Sequence, residues 1–348
     1  MDIIKNLSVS MEIDRYISQK IANMSAVCAI LVVFVHTPVL KSSGSFFYRS
    51  MVRFLPNGLS EIAVPFFFLI SGFFVVAHYP QSGWYKAAVL KRLKTLLIPY
   101  VILNIVWLVY GICVNSALGF AHHDICDILT YIRALGLDLM VTPQVGPLWY
   151  VRSLILFLPV VPLLVSVMRQ SRFSWLLLGV LFLLYGIVDF LKPYLPLGSG
   201  FWSFGVSLKG LAYFGLGIWL CVGRHYLAVP TAVNLRMGVP LILVGLVVME
   251  CLPIRFLGVA LALVGIWSVV PTWAFPSWLV RNTFALYVFH DMVFAHLKVL
   301  IGHGRFSFVY SIPGFIIMAI ISVGISIVGS EVLRRKTPRL TRLLLGGR

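Results

Sequence analysis

The sequence predicts an all-α, polytopic transmembrane bundle of about ten spans, on three observations. Only 11% of the 348 residues are charged, 60% are hydrophobic, and the mean hydropathy is +0.98. A soluble domain carries about 25% charge; so sparsely charged a chain suits a bilayer, where lipid tails are the solvent for most of the outside. Apolar runs follow one another from residue 21 to 329 with no long polar segment between them. The basic residues collect in the short segments that separate those runs.

A helix needs about 20 apolar residues to cross a hydrocarbon core of about 30 Å. The runs that qualify are 21–40, 58–78, 96–115, 146–167, 174–191, 203–221, 238–252, 256–274, 282–301 and 309–329. The first starts after some twenty mostly polar residues and no small-residue cleavage site follows it, so it reads as a retained span rather than a signal peptide. The fourth, fifth and sixth are punctuated by Pro, Gly or Asp. The seventh and eighth are separated only by Leu252-Pro253-Ile254-Arg255, which makes a single hairpin an open reading. The whole, 1–348, reads as one integral membrane domain with a short N-terminal lead and a basic C-terminal tail.

The net charge of +17 is explained by topology. Basic chains bind nucleic acid when the charge forms a patch. Here Lys and Arg sit in short loops, as they do on the cytoplasmic side of a membrane, and no nucleic-acid partner is expected. With the N-terminus in the cytoplasm, 18 of the 28 basic residues fall on the inner side, among them Lys86, Lys91, Arg92, Lys94 and six in the tail. An even number of spans, with both termini cytoplasmic, fits that count.

The five cysteines, Cys28, Cys113, Cys126, Cys221 and Cys251, have no CxxC spacing, and four lie in apolar runs. Neither a disulfide framework nor a zinc site is expected. His122, His123, Asp124, Cys126 and Asp127 cluster after the third run, in no reliable ligand spacing; a solvated loop is the simpler reading, and no metal is assigned.

Ionisable residues within spans cost energy and are functional candidates by default. His36 ends the first run, 16 residues beyond Lys20 and so about 24 Å along a helix, in the outer half of the bilayer. It is suited to general-base work near neutral pH; an interfacial histidine at the helix mouth is the alternative. Ser25 and Ala29 share its face, a small-residue stripe that suits a narrow cavity or close helix packing. In the second run, Pro65 precedes Phe66-Phe67-Phe68 and Ser71-Gly72, a pattern able to bend the helix and open backbone groups to a cavity. By itself the aromatic cluster reads as lipid-facing.

Lys91-Arg92-Leu93-Lys94 precedes the third run as a basic loop, either a site for donor phosphates or a topological anchor. Trp149 and Tyr150 fit an interfacial belt, with Arg152 one turn deeper. His290 lies nine residues beyond Arg281, about 13 Å along its helix and near the bilayer midplane, and Asp291 follows it. Lys209 and Asp189 are further charges in spans with no partner evident from sequence.

Taken in order, these motifs resemble those of the membrane-bound acyltransferase family 3, the group that includes bacterial polysaccharide O-acetyltransferases. The resemblance covers about residues 14–329 and rests on Val32-Val33-Phe34-Val35-His36, Val64-Pro65-Phe66-Phe67-Phe68-Leu69-Ile70-Ser71-Gly72, Lys91-Arg92-Leu93-Lys94 with Ile98-Pro99-Tyr100, Pro147-Leu148-Trp149-Tyr150-Val151-Arg152, and Tyr287-Val288-Phe289-His290. It implies a multi-pass protein of the bacterial cytoplasmic membrane. It also implies an acyl-CoA donor, usually acetyl-CoA, bound from the cytoplasmic side as a substrate, with no tightly held cofactor. The acceptor it implies is a hydroxyl of a glycan or lipid-linked sugar. Carried onto this chain it makes His36 the catalytic base and Lys91, Arg92 and Lys94 the donor-binding residues. Ser71, Trp149, Arg152 and His290 become cavity residues. Many members have an arginine eleven residues before the first-span histidine; Ser25 stands there in this chain, so Lys20 or Arg152 is expected to supply that charge.

Two other functions stay open at this level. A transporter or flippase for a lipid-linked or small amphipathic substrate also keeps midplane charges. A scaffold subunit of an envelope-glycan complex is the third. Contact with membrane lipid follows in every case, while the acceptor sugar, acyl-chain length and any assembly of identical copies are not legible.

Overall fold

The computed structural model describes residues 15–37, 46–117, 146–191, 194, 199–252, 254–301 and 311–347. Helices are the regular structure throughout them. The cluster His122, His123, Asp124, Cys126 and Asp127 lies outside the described residues.

Each predicted apolar run contains a helix. Among the described residues, five helical segments are long and apolar enough to cross a membrane: Arg15–His36, Trp84–Tyr110, Gly146–Met168, Ser171–Leu191 and Ile312–Lys336. Shorter apolar helical segments are Leu59–Val75, Ser207–Val222, Arg255–Val269 and Thr283–Leu297.

Helix α1 (Arg15–His36) runs through the centre, with Met24, Cys28, Ala29 and Val33 fully buried. Its first half is fixed by polar side chains rather than by packing alone. Lys20 donates to the carbonyl of Thr231 (2.8 Å), with its ammonium 5.4 Å from the Trp267 ring centroid. Asn23 donates to the carbonyls of Pro271 and Trp273 (2.8 and 2.7 Å). These bonds tie α1 to the loop carbonyls that it passes.

After the amphipathic helix α2 (Phe46–Phe54), a 3-10 turn (Leu59–Ile62) leads into α3 (Ala63–Val75). Pro65 occupies the first turn of α3, where its missing N–H has no helical acceptor to lose, so the bend expected there has no cause. Phe66 and Phe68 are buried rather than lipid-facing. The segment 91–94, expected as a loop, is helical: α4 (Trp84–Arg92) continues through a five-residue π-type turn (Leu93–Leu97) into α5 (Ile98–Ala117). The run at 146–168 is broken at its prolines into α6 (Trp149–Phe157) and α7 (Val161–Met168), with 3-10 turns before each. The next two runs, also expected to be punctuated, are unbroken: α8 (Ser171–Leu191) and α9 (Ser199–Val222).

Glycine sets two close helix pairs. Helices α3 and α9 approach so closely that a Cβ at Gly72 would lie 2.0 Å from the Phe214 carbonyl oxygen, and one at Gly217 only 1.9 Å from that of Leu69. Helices α10 (Leu235–Cys251) and α11 (Arg255–Val269) settle the seventh and eighth runs as an antiparallel hairpin. A Cβ at Gly238 would meet the Gly265 carbonyl oxygen at 2.8 Å, and one at Gly245 that of Gly258 at 2.6 Å. Small residues in these positions let backbones touch where lipid offers no hydrophobic drive for association.

The short α12 (Ser277–Val280) precedes α13 (Thr283–Ile301), and α14 (Ile312–Lys336) packs on α13 and α1. Helix α14 continues to Lys336, past the apolar run. Its last turn carries Arg334, Arg335 and Lys336, cations that complement a helix C-terminus. A short α15 (Pro338–Leu344) follows.

Candidate active site

His36 is the last residue of α1 and His290 lies in the first half of α13. The packing of α13 against α1 puts their ring centroids 5.0 Å apart at 53°. His290 is fully buried. Its Nδ1 lies 3.0 Å from the carbonyl oxygen of Leu286, which can only accept, so Nδ1 carries the proton and Nε2 of the neutral ring holds a lone pair. That Nε2 is buried with no hydrogen-bond partner among the described residues. The Ser322 hydroxyl of α14 donates to the His290 carbonyl (3.4 Å), tying α13 to α14 at this level.

A cavity of about 200 Å³ lies on the same helices. Ser25 of α1, Phe67, Ser71 and Phe74 of α3, Arg92, Tyr150 and Tyr287 are among the residues that line it. A continuous series of contacts leads from it to the histidines. The Arg92 guanidinium reaches the Ser71 carbonyl at 3.4 Å. The Ser71 hydroxyl is hydrogen-bonded to the Tyr150 hydroxyl (2.8 Å), which also donates to the Phe67 carbonyl (3.0 Å). The Tyr150 and Tyr287 rings are 5.8 Å apart, and the Tyr287 and His290 rings 6.4 Å. Tyr287 donates its own hydroxyl hydrogen bond to the Pro147 carbonyl. The two tyrosines therefore form the wall between the cavity and the histidine pair, each held by its hydroxyl.

Helical spacing explains why a single residue of the basic cluster enters this cavity, since residues four apart share a helix face. Arg92 ends α4 just before the π-type turn and Leu96 lies within it, and both line the cavity. Lys91 and Lys94 are exposed and outside the lining. Such turns occur often at functional sites.

The other expected cavity residues divide. Ser71 lines the cavity, whereas Trp149 packs its ring 5.9 Å from Phe68. Arg152 is buried to 5% exposure, and its Nε has no partner among the described residues. Ser25 lines the cavity, while Ala29 on the same stripe packs against Leu286, Phe294 and Met318, so the stripe serves both a cavity and a helix contact. Lys20, one candidate for the charge missing at Ser25, is committed to Thr231 and Trp267 instead. Arg92 is the guanidinium that shares the cavity with Ser25. Asp291 is half-buried and turned toward Gly146, not into the cavity lining.

Lys209 does have a partner. Its ammonium lies 3.1 Å from a carboxylate oxygen of Glu61 and 5.8 Å from the Tyr185 ring centroid. Sequence reasoning missed the roles of Tyr150 and Tyr287. The signal was available for Tyr287, which precedes His290 by three residues and so shares its helix face. Among the described residues no group of three or more His, Cys, Asp or Glu side chains could hold a metal ion. What the arrangement offers chemically is one guanidinium for an anionic or carbonyl-bearing group and, beyond two tyrosines, a pair of imidazoles able to accept a proton.

No curated protein and no solved structure matches the chain at a significant level. The acyltransferase family 3 domain, an acyltransferase domain, matches residues 21–331. That stretch begins inside α1 and ends five residues short of the end of α14, so it holds both histidines and the whole cavity. With the match extending over well more than half of its length, this helical membrane protein belongs to acyltransferase family 3.

Proposed function

We propose that the protein is an O-acyltransferase of a bacterial cytoplasmic membrane, moving an acyl group, acetyl by preference, from acyl-CoA to a hydroxyl of a cell-envelope or secreted polysaccharide or a lipid-linked sugar. The observation that carries this reading is the line of contacts from Arg92, through Ser71, Tyr150 and Tyr287, to His290 and His36. A basic group stands at one end and proton acceptors at the other, as a thioester delivered to a hydroxyl requires. The chain crosses the bilayer ten times in this reading, with both termini cytoplasmic and the basic residues about Arg92 facing the donor pool.

His36 takes the proton of the acceptor hydroxyl as its oxygen attacks the thioester carbonyl. The tetrahedral adduct then collapses, the C–S bond breaks, and the departing thiolate takes up the proton that His36 holds. His290, 5.0 Å away ring to ring, is the neighbour that supports His36 in this role. A parked acyl group on His36 is the covalent variant of the same chemistry. Single-turnover labelling in the absence of acceptor separates the two, since only the covalent route leaves label on the protein.

The test is transfer from labelled acetyl-CoA to extracted membrane glycans by purified protein in nanodiscs. Loss of transfer in folded His36→Ala supports the reading. Transfer that survives His36→Ala refutes the assignment of the base. Absence of transfer by wild type across donors and acceptors moves the function to a transporter of a lipid-linked substrate.

A further inference from the structure

A second cavity, of about 380 Å³, lies at the end of the bundle where α3, α7, α8 and α9 terminate or begin. It is lined by Tyr79, Arg169, Ser171, Trp175, Trp219 and His225, among others. One part of its wall is a group of rings: Trp175 and Trp219 have centroids 4.7 Å apart at 60°, and His225 stacks on Trp219 at 3.9 Å and 22°. The Arg169 guanidinium sits 5.9 Å from the Tyr79 ring centroid. The chain is shaped to make the His225 stack. Arg224 adopts a left-handed backbone (φ 55°), uncommon for a residue with a side chain. A Cβ at Gly223 would fall 2.2 Å from the His225 ring, so glycine is needed for the ring to fold back.

This cavity is close to the one that holds Arg92. Phe74 lines the first and Tyr79 the second, and five residues of chain span at most about 18 Å. Phe73 also packs its ring 5.3 Å from Tyr226, the neighbour of His225. Flat rings and a guanidinium suit a ligand with a heteroaromatic base and a phosphate. A coenzyme A thioester has both at one end of a long, thin arm.

We infer that this second cavity is the subsite for the adenine nucleotide of the donor, with the base on Trp219 and Trp175, the phosphate at Arg169, and the pantetheine arm running past Phe74 to Arg92. The inference rests on the acyl-CoA reading above. It makes the nucleotide a handle that supplies affinity remote from the reacting carbonyl.

Two donors, acetyl-CoA and S-acetylpantetheine, which lacks the nucleotide, test it. Wild type should show a KM at least tenfold lower for acetyl-CoA. Trp219→Ala and Arg169→Gln should each raise the KM for acetyl-CoA about tenfold and leave that for S-acetylpantetheine unchanged. Trp219→Phe, which retains a ring, should lie between. Adenosine 3′,5′-bisphosphate should compete with acetyl-CoA in wild type and not in Trp219→Ala. Equal KM values for the two donors in wild type, or a variant that raises both alike, overturns the subsite while leaving the acyl-CoA reading intact. Failure of wild type to transfer from either donor overturns the acyl-CoA reading and the subsite with it.

Discussion

His36 and His290 stand 5.0 Å apart, ring to ring, although they end or occupy helices from opposite ends of the chain. The buried Nε2 of His290 has no hydrogen-bond partner among the described residues, an arrangement that costs stability and needs a reason. Receiving a proton or a hydroxyl during turnover is one. His36→Ala should lower transfer by about 10²–10⁴-fold, the usual contribution of a general base. His290→Phe keeps a ring in the site and removes the orphaned nitrogen. It should slow transfer at least tenfold while leaving thermal stability unchanged or slightly raised. A His290→Phe protein that is fully active assigns that nitrogen no part in the reaction.

The donor cluster should act through one residue. Arg92 lines the cavity, whereas Lys91 and Lys94 are exposed outside it. Arg92→Ala should raise the KM for acyl-CoA about tenfold or more. Lys91→Ala and Lys94→Ala should each change it less than threefold at moderate salt, since exposed charges are well screened. Steady-state kinetics at two salt concentrations check this, and equal effects from all three would mean that the cluster works as a diffuse field.

The hydroxyl of Tyr150 holds the wall between the cavity and the histidines, through Ser71 and the Phe67 carbonyl. Tyr150→Phe removes both bonds and leaves the ring. A cost of about 1–2 kcal/mol in unfolding is expected, with kcat reduced more than the donor KM. Unfolding in detergent and the kcat against KM split measure the two effects separately. A variant with wild-type kcat would leave the wall a packing feature.

How much of this was legible in the sequence depends on the residue. His36 and His290 stood out because ionisable groups in apolar runs are costly and rarely placed without purpose. Their meeting was not legible, because it arises from the packing of α1 on α13 and no local pattern encodes that. Arg92 was visible as one of a cluster. Arg92 and Leu96 are four residues apart and share a helix face, but the sequence does not say that this face lines a cavity. Phe66 and Phe68 read as lipid-facing because composition cannot separate a lipid-facing aromatic from one buried between helices; Phe68 is enclosed by Trp149, Tyr150 and Phe157. Membership of the family, by contrast, was carried by motif order, which survives without any knowledge of packing.

The α3–α9 contact sets the position of the cavity wall, since α3 contributes Phe67, Ser71 and Phe74. Gly72→Ala and Gly217→Ala each force a methyl group into a backbone carbonyl at 2.0 and 1.9 Å, with no flexible side chain to yield. The helices must separate, at a cost of about 1–3 kcal/mol, and transfer should fall with stability. Gly179→Ala and Gly324→Ala meet open space and should be neutral or slightly stabilising. Melting curves of the four variants in one detergent decide it, and similar losses for all four would remove the close contact as the cause.

The Glu61–Lys209 pair offers a case where stability and activity should separate. The Lys209 side chain is 18% exposed and that of Glu61 38%, so the pair is partly screened, and neither residue lines either cavity described above. Lys209→Met leaves the carboxylate beside apolar surface without its nearest cation, and Glu61→Gln does the reverse. Each should cost about 1–3 kcal/mol, below the figure for a fully buried pair because water reaches one side. The double variant should recover much of that loss, because two neutral side chains no longer strand a charge in the membrane. Transfer per folded molecule should stay near wild type in all three. Unfolding free energies for the double-mutant cycle give the coupling directly; additive losses would show that the two groups contribute independently, and a selective loss of activity would bring this pair into the acceptor's path.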